Sequence, residues 1–205
     1  MSKFIVGISG AQGAGKSSLL AELAKRGWTL DNFKVSRAVQ SQLGWDSLDR
    51  VMDSPETMME FQNEVFEQKY KNDLAISLRS NAMTLTERTF ADILAYTSFW
   101  TWNFVEQHRL RMNDAMNFLM PFTDKCVKAQ DEIYSGVVLL PLMPHVVWEE
   151  DANRAKLEDA QTIYEDVEAF MKKRMPLTSR YITISTKTVE ERADQVEHFL
   201  RGLTQ

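Results

Sequence analysis

The chain has 205 residues, of which 44% are hydrophobic and 26% are charged, and its formal net charge is −5. This composition excludes a disordered or fibrous protein and fits one globular domain. The negative net charge excludes an overall cationic field that would hold a nucleic-acid backbone non-specifically, although a local basic patch would suffice for such a partner.

Two features bear on where the protein works. Its single cysteine, Cys126, cannot form an internal disulfide, and the first residues lack the charged and then apolar pattern of an export signal. We therefore expect a cytoplasmic protein. No apolar run approaches the ~20 residues that a membrane helix needs, so we expect no membrane partner.

The first predicted element is a buried strand. Residues 4–8 are almost continuously apolar, as in a parallel sheet that is covered on both faces. A glycine-rich turn follows, and then a helix on which Leu19, Leu20 and Leu23 share one face. Gly27 is typical of the residue that ends such a helix. The order is therefore strand, glycine loop, helix.

A weakly alternating segment, residues 28–37, predicts a second strand that ends near Ser36 and Arg37. After a short helical turn, Ser54 is a typical cap for a long helix that has Pro55 at its first position. The apolar residues of this helix recur at helical spacing, which predicts packing beside a sheet.

Three further strands are predicted around residues 83–86, 136–141 and 181–185, each followed by a helical segment. This alternation predicts an α/β fold with a five-stranded parallel sheet and helices on both faces, in three layers. The middle helical segments predict a helical insertion on the substrate side of the domain, around 45–81 and 98–130.

The glycine loop carries the most specific motif. Its sequence, GAQGAGKS, matches G-x-x-x-x-G-K-[ST] in full, between a strand and a helix. Such a loop holds phosphates with inward-pointing amides, a lysine and the start of a helix. We predict a P-loop NTPase fold that binds ATP or GTP with Mg²⁺, which Ser17 would hold. The predicted nucleotide-binding residues are Gly10, Gln12, Gly13, Ala14, Gly15, Lys16, Ser17 and Ser18.

The third strand ends on Glu87, Arg88 and Thr89. An acid beside an arginine at the carboxyl end of a strand suits phosphoryl transfer, since Glu87 can bind a metal or the acceptor and Arg88 can offset charge on the moving group. A surface ion pair that caps the next helix is the alternative. Asp92 is a candidate general base. The alternative is that Asp92 is only a carboxylate in the first turn of the next helix, where the helix dipole favours a negative charge.

These residues resemble a known group. The stretch "TERTFADILAY" is similar to the acid-Arg-Ser/Thr segment of deoxynucleoside kinases and, more closely, of the NadR-like AAA-type P-loop kinase family, which includes phage-type ATP-binding proteins. The stretch "EEDANR" resembles that family's acidic lid, around residues 149–160. The sequence departs from the pattern at Glu87, where Asp is commoner, and shows no carboxylate ending the second strand, where deoxynucleoside kinases keep their base.

The resemblance implies a kinase that moves the γ-phosphoryl group of ATP to a nucleoside, a nucleotide or a related small acceptor. It implies catalytic roles for Lys16, Glu87, Arg88, Asp92 and Arg154, and acceptor binding by Arg37. A surface salt bridge is the alternative for Arg37, and a solvated helix start for Arg154.

Two other functions stay open. The acceptor could lie within DNA, as a 5′-hydroxyl end or a hydroxymethylated base, as some phage relatives are thought to use; His108, Arg109 and Arg111 form a small basic cluster that favours this mildly. A regulatory NTPase without an acceptor is disfavoured, because no glutamate follows a strong apolar strand to activate water. A homo-oligomer is compatible with the sequence.

Overall fold

A parallel five-stranded sheet forms the centre of the computed structural model, which describes residues 5–79, 82–142, 157–174, 180–184 and 186–203. The strand order is β2-β3-β1-β4-β5, and every neighbouring pair is parallel. The predicted α/β fold and its three-layer arrangement are confirmed. The strands are β1 (Ile5–Ser9), β2 (Thr29–Asp31), β3 (Thr84–Glu87), β4 (Gly136–Leu139) and β5 (Arg180–Thr183).

Helices connect the strands and cover both faces of the sheet. They are α1 (Lys16–Lys25), α2 (Val35–Gln42), α3 (Pro55–Arg79), α4 (Phe90–Glu106), α5 (Met112–Ile133), α6 (Leu157–Arg174) and α7 (Val189–Leu203), with a short 3₁₀ helix at Leu48–Met52. The predicted cap of α3 is present, because the Ser54 hydroxyl accepts a hydrogen bond of 3.1 Å from the amide of Thr57. Gly27, at φ +92°, follows the end of α1 as predicted.

The two faces of the sheet have separate cores. On one face, α1 and α7 pack over the apolar side chains of β1, β3 and β4; this core includes Val6, Leu19, Leu23, Leu85, Val138, Val196 and Leu200. On the other face, helices α2 to α6 share a larger core that includes Ile5, Val39, Phe61, Phe90, Phe122, Ile133 and Val167. The burial of β1 and β4 on both sides explains their nearly unbroken apolar sequence.

The predicted end of the second strand is wrong. The strand β2 has only three residues and ends at Asp31, and the chain is helical from Val35 onward. Val35 and Val39 are both buried, one helical turn apart, and this spacing decides the local structure in favour of a helix. A carboxylate therefore does end β2, contrary to the sequence-based expectation.

The helical insertion expected around 45–81 and 98–130 corresponds to the 3₁₀ helix, α3, the end of α4 and most of α5. Of the lid expected around 149–160, only residues 157–160 are described, and they form the first turn of α6. Arg154 lies outside the described residues. Among the helices that the structure describes, none combines the length and the hydropathy needed to cross a membrane.

Candidate active site

The glycine loop joins the carboxyl end of the central strand, β1, to the start of α1. Gly10 has φ +140°, and a Cβ atom there would lie 2.5 Å from the carbonyl oxygen of Leu140. Gly15 has φ +85° and precedes α1 without any side-chain cap. The first amides of α1 therefore have no intrahelical partner and are available to an anion in the loop.

Lys16 closes this loop from within. Its Nζ donates hydrogen bonds to the carbonyl oxygens of Gly10 and Ala11, at 2.6 and 2.7 Å, and the residue is only 5% exposed. Burial, reinforced by the nearby charge of Arg88, lowers the pKa of Lys16 to about 8. A bound phosphate would counteract both effects and raise the pKa of Lys16, so the lysine would be cationic when an anionic ligand is bound.

Hydroxyl and carboxylate oxygens meet at the same cleft. Ser17 and Ser18 are exposed and line it, as does Glu87 across from them. Oxygen ligands of this kind suit Mg²⁺, which usually keeps several waters and shares phosphate oxygens of the substrate. The described residues include no cluster of three or more acidic, histidine or cysteine side chains that would form a metal cage. The donor set therefore fits a metal that arrives with a nucleotide.

Arg88 adopts an unusual backbone conformation. Its φ is +66°, which is uncommon for a residue with a side chain, and its amide donates to the carbonyl oxygen of Ile8 at 2.9 Å. Its guanidinium stacks over the ring of Tyr96, 4.7 Å from the ring centre. The Tyr96 hydroxyl in turn accepts a hydrogen bond from the amide of Gln12 in the loop. Arg88 is thus held against the phosphate loop.

Glu87 forms an ion pair with Lys34, which stands at the start of α2. Burial acts to raise the pKa of Glu87, but the bond to Lys34 and the charges of Lys16 and Arg88 outweigh burial and lower it. The carboxylate is therefore ionised at neutral pH. The ion pair directs it toward the β2 and α2 side of the cleft.

Asp92 occupies a different environment from Glu87. It is fully buried, and its carboxylate accepts hydrogen bonds from the Ser9 hydroxyl, the Gly10 amide and both the amide and the hydroxyl of Thr89, at 2.7–3.0 Å. These contacts tie the end of β1 and the start of the loop to the start of α4. Asp92 is absent from the side chains that line the cleft.

A buried polar network lies behind Glu87. Lys69, on α3, is 0% exposed and donates hydrogen bonds to the Thr86 hydroxyl at 2.6 Å and to the Glu87 carbonyl oxygen at 3.2 Å. Its charge is paired with Asp73, 3.1 Å away, which also accepts from the Tyr134 hydroxyl. Sequence reasoning missed this network. The signal was available, because Lys69 and Asp73 fall on the buried face of α3 at helical spacing.

Asp31 belongs to the edge of this network. Its carboxylate accepts hydrogen bonds from the Phe33 amide, the Asn72 side chain and the Thr86 hydroxyl, at 2.8–3.2 Å. It is not among the residues that line the cleft. The carboxylate at the end of β2 therefore supports the strand ends in this structure.

The cleft extends from the phosphate loop to an aromatic pocket and has a volume of about 1660 Å³. Small-molecule sites usually measure about 300–1,000 Å³, so this cleft has room for more than one ligand. Aromatic side chains line the part that lies away from the loop: Phe33, Trp45, Phe61, Phe99 and Trp100. Tyr96, whose hydroxyl accepts from the Gln12 amide, lies where this part meets the loop. The rings of Trp45 and Phe61 stack with their centres 5.3 Å apart.

Gln62 is the polar group in this aromatic pocket that stands out. It lines the cleft, it is 2% exposed, and its side-chain amide makes no hydrogen bond within the described part of the chain. Within the described part of the chain, only the Thr186 hydroxyl is a fully buried side-chain polar atom without a partner, so the Gln62 amide reaches the cleft, where a ligand can form hydrogen bonds with it. The signal was its spacing on α3, because Gln62 lies four residues after Met58 and three before Val65, which are both buried.

Two predicted basic groups differ in their surroundings. Arg37 is exposed in the first turn of α2, lines the cleft, and makes no ion pair or side-chain hydrogen bond within the described residues. Arg109, from the basic cluster, donates hydrogen bonds to the carbonyl oxygens of Met52 and Asp53 and stacks on Phe104. The structure thus uses Arg109 to hold the chain before α3.

On the opposite side of the glycine loop, Arg192 of α7 contacts the loop main chain at Ala14. Its Nη1 donates to the carbonyl oxygen of Ala14 at 3.1 Å, and its Nε donates to that of Thr186 at 3.0 Å. Among the residues that the structure describes, the hydroxyl oxygen of Thr186 is buried without a hydrogen-bond partner. Arg192 was not among the predicted site residues, because nothing local to α7 reveals its contact with the loop.

Comparison with known proteins supports this description. The family model described as AAA domain (AAA_28) matches residues 5–192, whereas no curated protein matches the chain. Two solved structures of deoxyadenosine kinase from M. mycoides are similar. The one with the products dCMP and a flexible dCDP bound has a TM-score of 0.65, 13% identity, and coverage of 97% of this chain and 99% of that chain. The one with bound dATP has a TM-score of 0.65, 14% identity, and coverage of 96% and 99%. At these identities the likeness concerns the fold.

Proposed function

Because the chain belongs to the AAA domain family, we propose that it is an ATP- and Mg²⁺-dependent phosphotransferase whose acceptor carries a nucleobase. One observation carries the proposal: a single cleft joins a complete phosphate loop to aromatic side chains and to the amide of Gln62, which makes no hydrogen bond within the described residues. The loop suits the donor phosphates, and the pocket suits a base that stacks on aromatic rings and bonds to Gln62.

The donor triphosphate binds in the loop. The amides of residues 13–18 and the Nζ of Lys16 hold its phosphates, and Ser17 would hold Mg²⁺. Bound Mg²⁺ supplies neutralisation of the charge on the β and γ phosphates. Lys16 leaves the carbonyl oxygens of Gly10 and Ala11 when it turns to the phosphates. Arg192 stabilises the loop from the α7 side.

Transfer takes place between the loop and the end of β3. A bond forms between the acceptor oxygen and the γ-phosphorus, the bond between that phosphorus and the bridging oxygen breaks, and ADP leaves. Arg88 offsets the negative charge on the transferring group. Glu87 takes the proton of the acceptor hydroxyl, since its carboxylate is ionised and turned toward the α2 side. Asp92 is a positioning residue, because its oxygens are already engaged.

Four expectations from the sequence stay predictions: membership of the NadR-like, phage-type branch, the role of Arg154 as a lid arginine, the cytoplasmic location and a homo-oligomeric state. GTP stays an alternative donor. For an acceptor within DNA, the basic cluster at residues 108–111 gives little support, since Arg109 is engaged with the main chain. A regulatory NTPase would not need the aromatic pocket and Gln62.

The test is transfer of labelled γ-phosphate from ATP to nucleosides, nucleotides and DNA, with plain and hydroxymethylated bases. We expect label on at least one acceptor. Lys16→Ala should abolish transfer together with donor binding, and Gln62→Leu should reduce transfer while it leaves donor binding intact. Gln161→Leu, on the exposed side of α6, is the matched control. Release of free phosphate with every acceptor unlabelled would favour the regulatory NTPase.

A further inference from the structure

The charges that line the cleft are unevenly distributed. The whole chain is acidic, yet the lining includes six cationic side chains and four carboxylates. Four of the cations lie around the phosphate loop or on the β5 and α7 side of it: Lys16, Arg88, Lys187 and Arg192. The other two, Lys34 and Arg37, stand at the start of α2.

The sheet order separates these two groups in space. The loop follows β1, the central strand; β3 is its neighbour on one side, and β2 lies beyond β3. Lys34 and Arg37 come directly after β2, so they lie past Glu87 as seen from the loop. Arg192 and Lys187 come after β5, at the opposite edge. A donor that extends from the loop toward α7 therefore leaves Arg37 without an anion and Lys34 with Glu87 alone.

The contacts of these two side chains agree with a role toward a second ligand. Lys34 is paired with Glu87, while Arg37 is exposed to the cleft with no ion pair in the described part of the chain. Lys34 directly precedes the helix, Arg37 lies in its first turn, and both side chains line the cleft. The carboxylates Asp46 and Asp49 also line the cleft, but they belong to the segment after α2. On the β2 side of the cleft, the cationic side chains of the lining therefore lie at the beginning of α2.

We infer that the acceptor already carries phosphate, which binds to Lys34 and Arg37 while its base lies in the aromatic pocket with Gln62. This inference rests on the proposed function and narrows its acceptor to a phosphorylated nucleotide. A neutral nucleoside would give Arg37 no partner, whereas a guanidinium and a phosphate form strong, charge-assisted hydrogen bonds. The phosphate is that of a free mononucleotide or a phosphodiester that flanks a nucleotide in DNA.

The experiment measures binding to protein that is first loaded with a non-hydrolysable ATP analogue and Mg²⁺, so that the phosphate loop is occupied. The probes are the 2′-deoxynucleosides, their 5′-monophosphates and a mixed-sequence single-stranded oligodeoxynucleotide, each with plain and hydroxymethylated pyrimidines. We expect at least one phosphorylated probe to bind about 10- to 100-fold more tightly than its nucleoside. Whether the monophosphate or the oligonucleotide shows this gain identifies the source of the phosphate.

Arg37→Ala should remove the tighter binding of the phosphorylated probe and leave nucleoside binding unchanged. Arg37→Lys should keep part of this difference in affinity. Arg79→Ala, an exposed arginine outside the cleft, is the control. For the oligonucleotide, loss of one phosphate contact should lower the slope of log affinity against log salt by about 0.7. If Arg37 only stabilised the fold, its replacement would not change the slope of log affinity against log salt.

The inference is overturned if nucleosides bind as tightly as phosphorylated probes, if no phosphorylated probe binds, or if Arg37→Ala weakens both kinds equally. Failure of the proposed function has a different signature. In that case the ATP analogue does not load, or an acceptor binds normally and receives no label from ATP.

Discussion

The Nζ of Lys69 donates a hydrogen bond of 3.2 Å to the main-chain carbonyl oxygen of Glu87. This contact links a fully buried ion pair in α3 to the residue that we assign to the acceptor proton. Replacing Lys69 by methionine keeps the length of the side chain but leaves Asp73 buried without its counter-charge. We expect a loss of about 3–5 kcal/mol in the free energy of unfolding, measured by urea titration.

The same variant tests whether Lys69 also positions Glu87. At a temperature where Lys69→Met is still folded, we expect kcat to fall more than KM for ATP rises, because the loop itself is untouched. Lys125→Met, which removes a partly exposed lysine from α5, provides the comparison. Unchanged unfolding behaviour in Lys69→Met would contradict the burial and pairing described for this lysine.

Asp92→Asn separates a positioning residue from a general base. The new amide group cannot accept all four hydrogen bonds, so the end of β1 and the loop should loosen. We expect a loss of about 1–3 kcal/mol in stability and weaker ATP binding, measured by urea unfolding and equilibrium titration. A fall in kcat of about 10²-fold or more, with stability and ATP affinity unchanged, would instead identify Asp92 as the base.

Arg88→Gly separates catalysis from stability in another way. Glycine adopts the φ of +66° without strain. The backbone at this position should therefore not lower the stability of the variant. The transferring phosphoryl group, however, would lose its guanidinium, and we expect the transfer rate to fall by about 10²- to 10³-fold. Parallel thermal unfolding and single-turnover transfer measurements check both halves; transfer at the wild-type rate would remove Arg88 from the mechanism.

Donor binding should depend on pH through Lys16. The pKa of this lysine is about 8 in the free protein, lowered mainly by burial, and bound phosphates raise it. Protonated Lys16 binds the phosphates, so affinity is constant well below pH 8. It then falls by up to about tenfold per pH unit above pH 8, until the pKa of the complex is reached. Titration of the ATP analogue from pH 6.5 to 9.5 measures this, and Lys16→Met should show weak binding without the decline.

The phosphate loop, the cap of α3 and the α/β alternation were predictable because each depends on residues adjacent in sequence. The motif from Gly10 to Ser17 contains its own turn chemistry, and Ser54 followed by Pro55 is a local signal. The end of β2 was missed because a three-residue strand is too short for alternation to outweigh the helical spacing of Val35 and Val39.

The acceptor side of the site was harder to predict, because it depends on contacts between distant elements. Glu87 and Arg88 were found beside the loop from sequence, but the ion pair of Glu87 with Lys34 spans two strands. Gln62 and Lys69 come from a helix whose main predicted role was packing beside the sheet, with a wall of a substrate pocket as the alternative. Buried polar residues on an otherwise apolar helix face were the signal for both, and only the packed structure shows what they face.

The fate of the γ-phosphoryl group of ATP tests the central claim most directly. The wild-type protein is incubated with γ-labelled ATP, Mg²⁺ and each phosphorylated acceptor, and label on the acceptor is compared with label released as free phosphate. We expect most of the label to reach one acceptor and hydrolysis without an acceptor to be slow. Lys16→Ala should abolish both transfer and hydrolysis. Rapid release of free phosphate, equal with and without every acceptor, would contradict the proposed phosphotransferase activity.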